Sequence, residues 1–203
     1  MFGAIIGDIA GSTYEFTGNK DPDVDLFPSL SDFTDDSILT VATCEVLLAG
    51  ENAVNAVNEM AFRHTYRDYG ARYSSPMGGY GMRFAGWLRA PDAEAMPYGS
   101  FGNGSAMRVT PVGLACRSVE EVLAVAERSA RVTHDHPEGI KGAQATALAV
   151  FLGKNGATKE AIRKEITSRF DYELDRTVAD IRPHYHFNES CQGTVPEAIV
   201  AFL

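Results

Sequence analysis

Apolar residues recur at helical spacing along most of this chain, and no stretch alternates polar and apolar residues as a series of strands would. That pattern predicts roughly eight helices joined by glycine-rich loops, an all-α compact domain without internal repeats. Residues 2–16 read as the first helix. Phe2, Ile5, Ile6 and Ile9 form one stripe, and Gly3, Gly7 and Gly11 form a second on which a neighbouring helix should pack closely. Asp8, Ser12 and Glu15 share a third, polar face. Residues 17–33 have loop composition, with Phe27 and Leu30 as expected anchors. A helix then runs to about Ala49 and stops at Gly50. An amphipathic segment over 51–69 puts Val54, Val57, Met60 and Ala61 on one face, with His64 beside it as a structural residue.

Further helices are expected up to about Leu88, from the capping box of Ser118 and Glu121 to Val132, and from Ile140 to Leu152 with Pro137 in the entry turn. Thr158 should cap another helix through Arg169. Residues 171–189 give no clear pattern. Thr194 and Glu197 read as a last capping box announcing a helix over Ala198–Leu203, so the chain is expected to be a fragment of a longer protein.

The stretch Ser31-Asp32-Phe33-Thr34-Asp35-Asp36-Ser37 opens the second helix. Thr34, Asp35 and Asp36 crowd one turn, where one such residue would satisfy a cap. Two readings stay open: a solvated helix start favoured by the helix dipole, or an oxygen-only site for a hard cation such as Mg²⁺ or Mn²⁺. Two glycine-rich entries follow, Gly78-Gly79-Tyr80-Gly81 and Gly102-Asn103-Gly104-Ser105-Ala106-Met107-Arg108. Each could present backbone N–H groups to an anion, or be turn chemistry alone. His134 and His136 flank Asp135 without a third transition-metal ligand at useful spacing.

Composition narrows the function classes. At 203 residues, with 45% hydrophobic and 22% charged, the chain reads as one soluble globular domain. Net charge is −9 and no Lys/Arg-rich run exists, which disfavours nucleic acid as a general partner. Cys44, Cys116 and Cys191 are too few and too scattered for a disulfide framework, and no secretory signal or membrane-length apolar run is present, so a cytoplasmic location is expected.

Taken in order, Gly7-Asp8 through Glu15, Thr34-Asp35-Asp36-Ser37, the two glycine entries and Thr133-His134 make the chain resemble the ADP-ribosylglycohydrolase family, which includes the enzymes that reactivate ADP-ribosylated dinitrogenase reductase. The resemblance covers most of residues 1–152. It implies an all-α orthogonal bundle whose cleft holds two divalent cations, Mg²⁺ or Mn²⁺. It further implies that Thr34, Asp35 and Asp36 are metal ligands, with Asp36 essential to turnover, and that Glu15 positions or deprotonates the attacking water. Gly78, Gly79, Tyr80, Gly81, Gly102, Asn103, Gly104, Ser105, Met107 and Arg108 would hold the diphosphate and distal ribose, with His134 in the cleft. The late Asp-x-Asp-Thr motif of the family has no counterpart after residue 152; Asp171, Asp175 and Asp180 have other spacings.

The implied reaction is hydrolysis of the bond between ADP-ribose and a modified protein side chain or small conjugate. The alternatives are a non-catalytic ADP-ribose-binding or structural relative, as among lens crystallins, and an N-glycosidase for nucleoside-like substrates. The linkage cleaved and the oligomeric state stay open.

Overall fold

A computed structural model describes residues 1–50 and 57–203, and every regular element among them is helical. The α-helices are α1 (Phe2–Gly11), α2 (Asp35–Ala49), α3 (Glu59–Arg72), α4 (Met82–Arg89), α5 (Thr110–Ala115), α6 (Val119–Arg131), α7 (Pro137–Lys154), α8 (Lys159–Phe170), α9 (Val178–Ile181) and α10 (Cys191–Phe202). A single 3₁₀ turn spans Asn103–Ser105. No strand occurs among the described residues, only isolated bridges joining Thr34 to Met77 and Gly102 to Ser190.

Polar side chains set most helix starts by accepting from first-turn N–H groups. Thr34 accepts from Asp36, Asn58 from Ala61, Ser118 from Glu121 and Thr158 from Ala161. Within 171–189, Thr177 and Asp180 form a reciprocal capping box that opens α9.

The middle of the molecule is α7, which packs against α5, α6, α8 and α10. Its run of Gly139, Gly142, Ala143, Ala145 and Ala147 is buried, and such a thin helix admits neighbours on several sides. At the α5 crossing a side chain on Gly113 would lie 2.5 Å from the carbonyl oxygen of Ala147, so only glycine fits. Phe62, Tyr66, Val112, Val125, Leu148 and Ile166 fill the core around it with essentially no exposure.

Four expectations are corrected. The first helix stops at Gly11, because the Ser12 hydroxyl bonds back to the carbonyl of Ile9 and the chain turns, so Glu15 lies in a turn. The glycine stripe of α1 faces open space, since side chains at Gly3, Gly7 or Gly11 would meet nothing within 4 Å. Phe27 and Leu30 are exposed and anchor nothing. The last helix begins at Cys191 under a Ser190 cap, which leaves Pro196 inside the helix, where it offers no N–H to the carbonyl of Gln192. The amphipathic segment expected over 51–69 is described only from residue 57: Val57 is buried, Ala61 half-buried and Met60 exposed, while Val54 lies outside the described residues.

Candidate active site

The site starts from a carboxylate that ties two helices together. Asp8 on α1 accepts from the Thr34 backbone N–H at 2.9 Å and the Ser37 N–H at 3.1 Å through Oδ2, while its Oδ1 accepts from the Thr34 hydroxyl at 2.6 Å. The Thr34 Oγ1 in turn accepts from the Asp36 N–H at 3.2 Å, with Asp36 Oδ2 also 3.2 Å away. Free N–H groups at the start of α2 thus hold a carboxylate from another helix. Sequence reasoning placed Asp8 on a polar face but missed it as a site residue; its i, i+7 relation to Glu15 was the available signal.

Asp35 and Asp36 occupy the first turn of α2, half-buried. Loss of water, then the charges of Asp36 and Glu15, pushes the Asp35 carboxyl up to about 8. Asp36 is pushed up to about 6, first by loss of water and then by Asp8, against the lowering effect of the Thr34 hydrogen bond. Glu15 is raised by loss of water, then by Asp8 and Glu189. None of Asp8, Glu15, Asp35 and Asp36 forms an ion pair among the described residues.

Oxygen donors of this kind, short of positive charge, suit a hard divalent cation in chemistry. Their present arrangement does not enclose one. Among the described residues no group of three His, Cys, Asp or Glu side chains closes around a metal-sized point.

The first glycine entry meets this cluster directly. Gly78 and Gly79 both take φ +76°, a conformation that favours glycine, and a side chain on Gly78 would lie 3.5 Å from Glu15 Oε2. Tyr80 donates its hydroxyl to the Tyr73 carbonyl at 2.9 Å, and burial followed by the charge of Asp35 pushes it up to about 12. Gly81 precedes α4 without a side-chain cap.

The second entry is stitched to the segment before α10. Asn103 N–H donates to the Glu189 carbonyl at 2.7 Å, Cys191 N–H to the Phe101 carbonyl at 2.8 Å, and Gly102 N–H to Ser100 Oγ at 3.2 Å. Part of the backbone expected to be bare is therefore already bonded. The Ser105 hydroxyl is committed to the Gly139 carbonyl at 2.7 Å. The Met107 carbonyl accepts from Thr40 Oγ1 at 3.3 Å.

Arg108 points away from the cleft into the core, fully buried. Its guanidinium lies 4.3 Å from the centre of the Tyr66 ring, and Nη2 donates to the Ser129 carbonyl at 2.7 Å and to Thr133 Oγ1 at 3.1 Å. Thr133 Oγ1 is 2.7 Å from His134 Nδ1. His134 Nε2 faces the glycine turn, 3.1 Å from where a Gly104 side chain would begin. Burial, then the charges of Arg108 and Arg83, holds the His134 imidazole well below its ordinary range, so it is neutral.

A cavity of about 900 Å³ is lined by Asp8, Glu15 and Asp36 of the first region and by Asn103, Ala106 and Met107 of the second. Asp35, Gly78 to Gly81 and His134 stand outside its lining.

Residues 1–202 match the model of the family described as ADP-ribosylglycohydrolase. The ADP-ribosylhydrolase ARH3 of Danio rerio is 32% identical over 200 residues, 87% of this chain and 53% of the relative. The protein of the same name from Bos taurus is 31% identical over 188 residues, 77% of this chain and 49% of the relative. The chain thus spans about half the length of the curated relatives it matches. A solved structure titled ADP-ribosylglycohydrolase-related protein complex superposes with a TM-score of 0.67 at 24% identity, over 99% of this chain and 72% of the other, which shows the shared helical fold. On the match across nearly its whole length, the chain belongs to the ADP-ribosylglycohydrolase family.

Proposed function

We propose that this chain carries the ADP-ribose-facing part of a divalent-cation-dependent hydrolase that cleaves the glycosidic bond between ADP-ribose and a modified protein side chain or small conjugate. The observation that carries this reading is the cluster of Asp8, Glu15, Asp35 and Asp36, unpaired by any basic side chain among the described residues, of which Asp8, Glu15 and Asp36 line the same cavity as Asn103 of the second glycine turn.

Cleavage at the anomeric carbon builds positive charge on the sugar, and carboxylates close to it favour that charge. Glu15, exposed beside the Gly78 turn and raised above its ordinary range, is placed to take a proton from water. Thr34, Asp35 and Asp36 would hold Mg²⁺ or Mn²⁺, which when bound orients the ribose hydroxyls and offsets the like charges of the cluster. Asp8 orders these donors by bonding both Thr34 and the Ser37 N–H. Gly102 to Gly104 would meet the diphosphate, with His134 facing that turn, while Gly78 borders Glu15 outside the cavity.

A second reading, a binding module without turnover, is favoured by the lack of an enclosed cation site among the described residues. Calorimetric titration with ADP-ribose, with and without Mg²⁺, separates the two when paired with release of ADP-ribose from a modified protein. Metal-dependent binding and turnover, both lost in Asp36→Ala with the fold retained, support the hydrolase. Binding indifferent to metal and to Asp36→Ala, without turnover, supports the module.

A further inference from the structure

The side chains beneath the second glycine turn form a directed chain of hydrogen bonds, and its direction can be worked out proton by proton. Arg108 is always a donor, so its 3.1 Å bond to Thr133 uses Thr133 Oγ1 as acceptor. Thr133 is fully buried, and its hydroxyl has one further hydrogen-bond partner among the described residues, His134 Nδ1 at 2.7 Å. If His134 carried its proton on Nδ1, both groups would offer protons across that contact, and the Thr133 hydroxyl hydrogen would be buried without an acceptor. The Thr133 hydroxyl therefore donates to Nδ1, which leaves the ring proton on Nε2. No hydrogen bond from His134 Nε2 to the protein occurs among the described residues, and that atom faces Gly102 and Gly104.

We infer that Arg108 and Thr133 act as a tautomer lock, holding His134 as a fixed Nε2–H donor aimed across the Gly102–Gly104 turn at an oxygen acceptor of the bound ligand.

The other groups around His134 are consistent with this arrangement. Tyr98 packs its ring 6.1 Å from the imidazole and donates its backbone N–H to the Thr133 carbonyl. Arg83 from α4 bonds the Tyr98 carbonyl and lies 4.7 Å from the Tyr98 ring centre, adding a second positive charge on that side. Asp135, the adjacent carboxylate, is turned to the Gly99 N–H at 2.6 Å. Cys191 donates to the Gly102 carbonyl at 3.1 Å and so helps to hold the turn. No carboxylate bonds the imidazole among the described residues.

Arg108 and Thr133 are on this account positioning residues, which reach the ligand only through His134. The tautomer follows from the hydrogen bonds alone, whereas naming ADP-ribose as the ligand rests on the function proposed above.

Nitrogen-15 spectroscopy of the imidazole rings in the full chain tests the lock, with the His134 signals assigned by their loss in His134→Gln. At neutral pH the expected spectrum has a protonated Nε2 and a bare Nδ1. Thr133→Val, of nearly the same shape, should average the two tautomers and weaken ADP-ribose binding about tenfold, and Thr133→Ser should restore both. A ring protonated on Nδ1, an imidazolium, or a Thr133→Val spectrum identical to the parent's would overturn the inference. A parent spectrum with the Nε2 proton in place but no binding of ADP-ribose supports the lock and overturns the proposed ligand.

Discussion

The Oδ1 of Asp8 stands 2.6 Å from the hydroxyl of Thr34, in a bond that joins α1 to the residue capping α2. Helix α1 buries none of its residues below the surface, and its large apolar side chains Phe2 and Ile6 are exposed. Its place in this structure is set largely by polar bonds. Asp8→Ala removes three of them at once and should destabilise the chain by about 2–3 kcal/mol, charged acceptors being worth more than neutral ones. Amide exchange across residues 2–11 should rise far more than exchange in α7. Asp8→Asn should lose less, because its amide oxygen can still accept from Thr34 and Ser37.

Asp35 gives a dependence on pH with a definite sign. Its folded value, pushed up to about 8, lies above the ordinary carboxylate value, so the folded state keeps a proton that the unfolded state has already released. Stability from this group therefore falls as pH rises from about 4 towards 8. In metal-free buffer Asp35→Asn should raise the melting temperature, more at pH 8 than at pH 5, with a gain of at least about 1 kcal/mol at the higher pH. Thermal unfolding of both chains across that range checks it. An equal gain at the two pH values would remove the explanation by burial and like charges.

Among the described residues, a side chain at Gly104 would meet only His134 within 4 Å. A methyl group there would begin 3.1 Å from Nε2 and 3.3 Å from Cε1, tight enough to crowd the ring but not to break the core. Gly104→Ala should weaken ADP-ribose binding by about tenfold while shifting stability by less than about 1 kcal/mol. Titration calorimetry and a melting curve measure the two effects separately.

Tyr66 carries a buried relay of its own. Thr43 Oγ1 donates to the Leu39 carbonyl at 2.9 Å, so the Tyr66 hydroxyl donates to Thr43 and accepts from Ser129, each at 2.8 Å. Tyr66→Phe should destabilise by about 1–2 kcal/mol, chiefly by stranding the Ser129 hydroxyl. The ring remains beneath Arg108, so ADP-ribose affinity should be unchanged. Chemical denaturation and a binding titration are the measurements.

Much of the helical frame was legible because its signals are local. Ser118 capped α6 as read, Thr158 capped α8, and Gly50 followed the last residue of α2. The Glu121 carboxylate, however, accepts from the Arg117 N–H in place of the Ser118 N–H of a full capping box. The misreadings came from motifs that mean different things in different surroundings. Thr194 and Glu197 have capping-box spacing, yet Ser190 three residues before Gly193 is the true cap, and the Thr194 hydroxyl bonds the Ser190 carbonyl inside the helix. The glycine stripe of α1 signals close packing only where a second helix is present to accept it, and a side chain there would meet open space. At the site, the residue types of the second glycine entry were readable, but their directions were not. Nothing local says that Arg108 turns inward and Ser105 towards Gly139, because both choices are made by Tyr66, Ser129 and α7, far away in sequence.

The inward turn of Arg108 also bears on how the cleft responds to its solution. Its guanidinium pairs with no carboxylate among the described residues, and dissolved ions cannot approach it through the core. Charges sheltered in this way are weakly screened. The charge of Arg108 therefore acts on His134 beneath the second glycine turn almost as strongly in high salt as in low, and burial and that charge together keep the imidazole neutral in both.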